Sequence, residues 1–220
     1  MLYIVGTPIG NLSDITLRAL DTLKSVDIIA CEDTRHTKIL LEHYQINKPL
    51  TSFHSCNKIR KTQELISALK NGKNIALVSD SGMPGISDPG VNLINDAIKE
   101  NLEYCIIPGP TAFVGALVAS GLPAHKFIFE GFLPPKELSQ KNVLKKFIDE
   151  KHTVVFYESP HRIKKLLLNM LEVFGDIEIV LARELTKKFE EVKRKKISEF
   201  IFYYNNHSPR GEFVVLFNLK

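Results

Sequence analysis

The chain has 220 residues, of which 44% are hydrophobic and 25% charged, with a net charge of +4 and three cysteines. This is the composition of an ordinary globular protein of one large or two small domains, and no apolar run approaches the length of a membrane span. The mild positive charge permits a nucleic-acid partner without requiring one, and the odd cysteines, Cys31, Cys56 and Cys105, lack metal spacing, which predicts a reduced, cytoplasmic setting.

Met1 is followed at once by LYIV, too short for the core of a signal peptide and without a basic lead-in. Leu2 to Val5 reads as a first strand, and GTPIGN from Gly6 to Asn11 as a tight loop. Ser13 can cap a helix with Ile15, Leu17, Leu20 and Leu23 on its apolar side. The strand–glycine loop–helix order suits a nucleotide, yet the Lys-Ser/Thr pair of a phosphate loop and the GxGxxG of a dinucleotide fold are both missing. A binding loop and a plain βα turn stay equally open here.

Asp27 to Cys31 reads as the second strand. Glu32, Asp33, Thr34, Arg35 and His36 follow at its carboxyl end, before a helix through Ile39, Leu40, Leu41 and Tyr44. Asp33 suits a helix cap, and the Glu32–Arg35 cluster suits either a solvated face or a functional site. Leu50 to Phe53 is a short strand. His54 and Cys56 after it are too sparse for metal binding, so no metal is expected. The next helix stops at Asn71-Gly72.

Ile75 to Val78 is an apolar run suited to a strand buried on both faces. From Ser79 to Gly90 the chain reads SDSGMPGISDPG. Its glycines permit positive φ and close backbone approach, and its prolines stiffen the rest. A long rigid polar loop at the carboxyl end of a buried strand is where open α/β sheets bind ligands. A well-made turn without a ligand is the alternative. Val91 opens a helix, Tyr104 to Ile107 is a fifth strand, and PGPTA from Pro108 to Ala112 is another rigid βα loop. Strand and helix alternate throughout this half, which predicts a parallel sheet with helices on both faces.

Gly121 to Ala124 is a plausible hinge, dividing the chain into domains of residues 1–120 and 121–220. Phe127 to Glu130 is a strand and Gly131 to Lys136 a loop, GFLPPK; a basic helix runs from Gln140 to Glu150. Thr153 to Tyr157 is a strand ending in Glu158, Ser159, Pro160, His161 and Arg162. Ile177 to Ala182 is another, ending in Arg183, Glu184, Leu185, Thr186 and Lys187. Phe189 to Lys196 alternates weakly and is strongly basic, Ser198 to Tyr204 reads as a short helix, and Gly211 to Phe217 as a last strand.

Both of those strand ends set a carboxylate beside cations. Arginine offers a planar fork to phosphate, and glutamate or histidine can take a proton. Ion pairing of Glu158 with Arg183, or Glu184 with Arg162, is the competing structural reading. The basic tract after Lys187 is either a solvated face or a surface for a phosphate-rich polymer.

The ordered motifs VGTPIGNL, CEDTRHT, ALVSDSGMPGISDPG, PGPTA, EGFLPPK, FYESPHR, ARELTK and the late Gly211-Glu212 closely resemble the bacterial small-subunit ribosomal RNA 2′-O-methyltransferase family called RsmI. That family falls among the class III, tetrapyrrole-methylase-like methyltransferases. The resemblance runs from first strand to last. It departs at Ser81 and Met83, where Ala and Thr are usual, and at Arg210, where Lys is usual. It implies two α/β domains of the tetrapyrrole methylase type with the cofactor, S-adenosylmethionine, in a cleft between them. Its cofactor loop comprises Ser79, Asp80, Ser81, Gly82, Met83, Pro84, Gly85, Ser87 and Asp88, with Thr111 and Ala112. Pro8 and Phe132 would close over the cofactor. The RNA would meet Glu32, Arg35, Arg162 and Lys187, and Glu184, Arg183 and Glu158 would be the catalytic set. The expected reaction is 2′-O-methylation of a cytidine ribose in 16S RNA, by a homodimer acting on small-subunit RNA, with no membrane. A small-molecule tetrapyrrole methylase on the same fold, or a non-catalytic ribosome-assembly protein that binds RNA, are the alternatives.

Overall fold

The computed structural model describes residues 1–53, 58–87 and 90–220, with Lys58 described by its backbone alone. The expectation about His54 and Cys56, and the placing of Asp88, lie outside the described residues. The chain divides into two compact units, Met1–Thr111 and Ala112–Lys220.

The first unit is a parallel sheet of β1 (Leu2–Val5), β2 (Ile28–Cys31), β3 (Leu50–Ser52), β4 (Ile75–Leu77) and β5 (Tyr104–Ile107), in the order β3-β2-β4-β1-β5. Helices α1 (Leu17–Ser25), α2 (Thr34–His43), α3 (Lys58–Lys70) and α4 (Val91–Lys99) connect the first strands. Side chains alternate across the pleat, so the central strands β1, β2 and β4 feed two cores. Val5, Ile29, Cys31 and Ala76 pack with Leu23 of α1 and Leu40 of α2. Leu2, Ile4, Ala30 and Leu77 pack with Leu65 of α3 and Leu93 of α4 on the other face. The apolar run at Ile75–Leu77 is buried on both faces and forms a strand, as the sequence predicts.

One detail differs. Ser13 does not cap α1; it lies in a 3₁₀ turn at Leu12–Asp14 whose N-cap is Asn11. Thr16 caps α1 instead, its hydroxyl accepting from the Ala19 N–H at 3.1 Å. Both residues are good caps, and the turn decides between them.

The second unit opens with α5 (Ala112–Ser120). Its mixed sheet runs β6-β7-β10-β8-β9, built from β6 (Phe127–Phe132), β7 (Thr153–Glu158), β8 (Glu178–Arg183), β9 (Glu191–Lys196) and β10 (Phe213–Phe217). Only β6 and β7 pair in parallel; β10 runs antiparallel to both β7 and β8, and β9 antiparallel to β8. Val154, Phe156, Ile179, Leu181, Phe213, Val215 and Phe217 face α6 (Glu137–Lys145), α7 (Ile163–Phe174) and α8 (Ile197–Asn206). The alternate residues Val155, Val180, Ala182, Val214 and Leu216 face α5.

Glu130 is an extra residue in β6, where the register steps from Phe129↔Val155 to Gly131↔Phe156. Gly131 takes φ 72° at this bulge, which carries the strand on to Phe132. A sequence reading that ends the strand at Glu130 takes this glycine for the start of a loop. The basic tract after Lys188 forms the edge strand β9, whose lysines keep an exposed edge from pairing with other chains.

Candidate functional site

All five strands of the first unit point the same way, so the loops after them gather at one edge. Three of these loops are locked together. Thr7 and Gly82 form an antiparallel bridge, with Thr7 N–H to Gly82 O at 2.9 Å and Gly82 N–H to Thr7 O at 3.2 Å. The buried Thr7 hydroxyl donates to Ser79 O at 3.1 Å, and the buried Ser79 hydroxyl to Gly82 O at 3.1 Å. Gly6 and Gly109 touch backbone to backbone: a Cβ on Gly6 would stand 2.7 Å from Gly109 Cα. Met83 covers that contact, its Sδ 2.7 Å from the same added Cβ. Gly82 and Gly85 both take φ 85°, a region that side-chain-bearing residues avoid.

The predicted cofactor residues of this unit thus divide by task. Ser79 is buried and structural, Gly82 and Gly85 supply the turn, and Pro84 is buried. Met83 is packing, which accounts for an apolar residue where a hydroxyl is usual. Ser81 and Ser87 are exposed on the loop, and Pro8 is half-buried in the neighbouring one. Thr111 caps its own loop, its hydroxyl donating to Gly109 O at 3.3 Å. Ala112 opens α5 of the second unit.

Asp80 reaches a further loop by accepting from the Asp33 N–H at 3.0 Å. Asp33 caps α2, accepting from Arg35 N–H at 2.8 Å, and grips the Arg35 guanidinium at 2.6 Å. The Arg35 side chain and N–H hold the Asp33 carboxyl well below the usual carboxylate range. Arg35 remains 89% exposed beyond that bond, and Glu32 is half-buried at the end of β2.

A rigid, glycine-lined edge whose loops are fixed by their own backbone is what binding through backbone groups requires. The residues of this unit fit a small polar cofactor such as S-adenosylmethionine.

In the second unit the carboxyl ends of β7 and β8 flank the start of β10, with Phe213 opposite both Glu158 and Arg183. The cross-strand ion pairs anticipated from sequence do not form; each carboxylate finds a nearer cation. Glu158 pairs with Arg162 at 3.2 Å and accepts from Ser159 N–H at 2.8 Å. Its side chain is wholly buried and Oε2 has no partner. Burial raises its carboxyl above the ordinary glutamate value, outweighing the Ser159 N–H and Arg162. Arg162 also donates to Leu133 O and, at 3.3 Å, to Pro134 O. It therefore pins the GFLPP loop. Phe132 at the head of that loop is 55% exposed, its ring 5.4 Å from that of Tyr157.

Glu184 sits at φ 51° and Thr186 at φ 64°. Such values for non-glycine residues, and for a β-branched one above all, mark strain held in place by surrounding contacts. Glu184 Oε1 accepts from Lys187 Nζ at 2.9 Å and from Glu212 N–H at 3.1 Å. Lys187 also reaches Glu212 Oε2 at 3.0 Å. A Cβ on Gly211 would lie 2.3 Å from Glu184 Cγ, so glycine is required there for the carboxylate to occupy its place. Partial burial disfavours the Glu184 charge, yet Lys187 and the Glu212 N–H outweigh it and hold the carboxyl below its ordinary value. Lys187 is pushed up: its burial is outweighed by the two carboxylates. Arg183 lies 3.6 Å from Glu191 and donates to Arg210 O at 3.3 Å.

The structure thus gathers Arg183, Glu184 and Lys187 into one charged cluster, with Glu158 and Arg162 one strand beyond β10. Gly211 and Glu212 belong to this cluster, and the sequence carries them only as a motif. Tyr157 is another addition: its hydroxyl accepts from the Phe113 N–H at 3.2 Å, within an aromatic group with Phe129. Period-2 alternation marks it as facing away from Phe156, the one signal available for it.

Residues 1–201 match the family described as Tetrapyrrole (Corrin/Porphyrin) Methylases. The chain is 48% identical over 219 residues to "Ribosomal RNA small subunit methyltransferase I" of Thermotoga maritima, covering all of this chain and 98% of that one. It is 50% identical over 220 residues to the protein of that name from Mycoplasmopsis pulmonis, again covering 98% of it. The Bacillus subtilis protein of the same name is 49% identical, with 74% of its length covered. Among solved structures, diphthine synthase superposes with a TM-score of 0.79 at 16% identity, covering 99% of this chain and 89% of that one. The cobalt precorrin-4 methyltransferase CbiF gives 0.72 at 17%, covering 98% and 93%. These structural likenesses speak to the fold alone.

Proposed function

The chain belongs to the ribosomal RNA small subunit methyltransferase I family, on the tetrapyrrole methylase fold, and from that premise we propose how its residues share the work. The protein is an S-adenosylmethionine-dependent methyltransferase that methylates a cytidine ribose 2′-oxygen of 16S RNA. The observation that carries this is identity of about half along the whole chain with a relative of matching length.

When bound, S-adenosylmethionine supplies a methyl group already activated on a cationic sulfur. The residues of the chain have two remaining tasks: to align the ribose hydroxyl with that methyl and to take up or offset the proton it loses. In the first unit the loop of Ser79–Gly85 with Pro8 and Thr111 holds the cofactor through backbone groups and the Ser81 hydroxyl, and Asp88 is assigned to the same loop. In the second unit Glu184 is the group for the ribose hydroxyl. Its ionised carboxylate accepts that hydroxyl and orients it, while protonated Lys187 beside it offsets negative charge on the oxygen. Arg183 serves a flanking phosphate. Glu158, fully buried, works through Arg162 and the loop it pins, so that Phe132 keeps its place. Arg35 and Glu32 meet the RNA from the first unit. The protein works in the cytoplasm as a homodimer, a state that sedimentation measures directly.

Labelled S-adenosylmethionine and undermethylated small subunits provide the test. Label is expected on a cytidine 2′-oxygen. Label confined to a base, or none with the cofactor saturating, overturns the assignment.

A further inference from the structure

At the far end of the second unit's sheet, where β7 and β8 begin and β10 ends, lies a cleft of about 670 Å³. Lys126, Lys151, Arg194 and Lys220 line it, with His125, His152 and Glu178. The cleft is built rather than incidental. Arg194 is held by Ser120 O and by Glu178 at 3.4 Å. His152 is fixed by Glu150, its Nδ1 2.5 Å from Oε1. The Thr153 hydroxyl ties the strand start to Pro123 O at 2.7 Å, and Asn218 Nδ2 donates to that same hydroxyl at 3.3 Å. Lys126 and Lys151 are exposed and, among the described residues, make no ion pair. Leu122, Pro123 and Leu219 give the cleft an apolar side.

Two free ammonium groups and an oriented guanidinium around an apolar wall suit a nucleotide strand: phosphates on the cations, sugar or base on the wall. β7 is six residues long, so the cleft lies about 17 Å from the Glu158 end of the same strand. That is roughly five nucleotide steps at the duplex rise. We propose that this cleft is a second RNA-binding site, which grips the phosphate backbone of the substrate RNA at a distance from the nucleotide being methylated. The inference rests on the RNA-methylating function above for its choice of partner.

The double variant Lys126→Ala/Lys151→Ala tests it, with Lys145→Ala/Lys146→Ala, two exposed lysines outside the cleft, as a control for loss of charge. Binding of 16S RNA from undermethylated subunits is measured from 50 mM to 1 M salt, alongside a polyglutamate competitor. In the cleft variant the slope of log affinity against log salt is expected to fall by about 1.4, two contacts at ~0.7 each. Affinity at 50 mM then falls tenfold or more, and KM for subunits rises with kcat and cofactor affinity unchanged. An unchanged slope and KM overturn the proposal. So does an equal effect in the control variant, which means generic charge. Polyglutamate that binds the wild type but not the cleft variant, and leaves RNA binding unchanged, assigns the cleft to acidic protein and overturns it as well. The slope needs no methyl transfer, so an inactive wild type that keeps the slope difference speaks against the enzyme assignment and leaves the cleft standing.

Discussion

At the strand ends of the first unit the structure is carried by backbone: Gly6 against Gly109, the Thr7–Gly82 bridge, and two glycines at φ 85°. At the corresponding ends of the second unit it is carried by charge: Glu184 with Lys187, Glu158 with Arg162, Arg183 with Glu191. The backbone edge has almost no side-chain freedom to lose, and it presents one shape. The charged edge has many, and holds them by mutual bonds and by residues in strained conformations. A cofactor that is the same at every turnover suits the first design. A flexible, phosphate-rich substrate suits the second, because charged groups can exchange partners when it arrives.

The largest expected effect breaks the backbone edge. Gly6→Ala puts a Cβ 2.7 Å from Gly109 Cα and N, atoms that cannot swing aside. Overpacking of this kind costs about 1–3 kcal/mol, and a loop shifted by an ångström costs on the order of 100-fold in kcat/KM for the cofactor. Gly82→Val adds strain at φ 85° and acts in the same direction. Calorimetry with S-adenosylmethionine and a melting curve check both. Folded variants with undiminished cofactor affinity would show that the backbone edge is not the cofactor site.

The charged edge breaks differently. Glu184→Gln keeps the side-chain shape but weakens the bond to Lys187, so cofactor affinity should hold while methyl transfer slows by at least ~100-fold. Gly211→Ala should reproduce part of this without touching the charge, since its Cβ displaces Glu184. Single-turnover transfer at saturating cofactor measures it. Turnover within a few fold of wild type in both variants would make the cluster structural.

What could be read in advance follows the same division. Backbone demands leave residue-type signatures, so the glycine–proline loops and the doubly buried runs around Ile75 to Leu77 were visible. Pairings do not. The residues of FYESPHR and ARELTK were legible, but the partners were not, because partner choice depends on φ at Glu184 and Thr186 and on the antiparallel placing of β10. The mixed sheet was hidden for a related reason. β9 is an edge strand whose lysines conceal its alternation, and β10 runs between β7 and β8 through a chain reversal that has no short-range signal. The bulge at Glu130 was hidden because Gly131 also reads as a loop start.

A smaller effect sharpens the contrast within the charged edge, where two glutamates titrate in opposite directions. The carboxyl of Glu184 is lowered in the folded protein. Its stabilisation is complete above the unfolded value of about 4.3 and is lost as pH falls through the folded one. Wild type should therefore melt a few degrees above Glu184→Gln at pH 7, on the order of 1 kcal/mol after allowing for partial exposure. That margin should close below about pH 4.3. The carboxyl of Glu158 is raised. The folded protein then holds its proton more tightly, and wild type gains on Glu158→Gln as pH falls from the folded value toward about 4.3. Melting temperatures of the three proteins between pH 3.5 and 8, in roughly half-unit steps, are sufficient. Margins that move in the same direction would mean that Glu158 is not held by burial.

The smallest expected effect lies at an exposed cation of the backbone edge. Arg35 is 89% exposed and bonded to Asp33 on its own helix turn. An exposed pair of this kind contributes little to stability, and Asp33 still caps α2 through the Arg35 N–H when the guanidinium is gone. Arg35→Ala should leave the melting temperature unchanged. If the guanidinium meets a phosphate, the salt dependence of RNA binding should flatten by about 0.7–0.9 in slope, one contact's worth, and KM for subunits should rise with kcat intact. Arg183→Ala is the informative comparison, because Arg183 is tied to Glu191 and to Arg210 O at the charged edge. Removing it should flatten the slope by the same amount and also lower the melting temperature slightly. Equal slopes would give each unit one phosphate contact, and unequal melting temperatures would report the ties of Arg183 alone. A flat response at Arg35 would confine RNA contact to the second unit and leave the first to the cofactor alone.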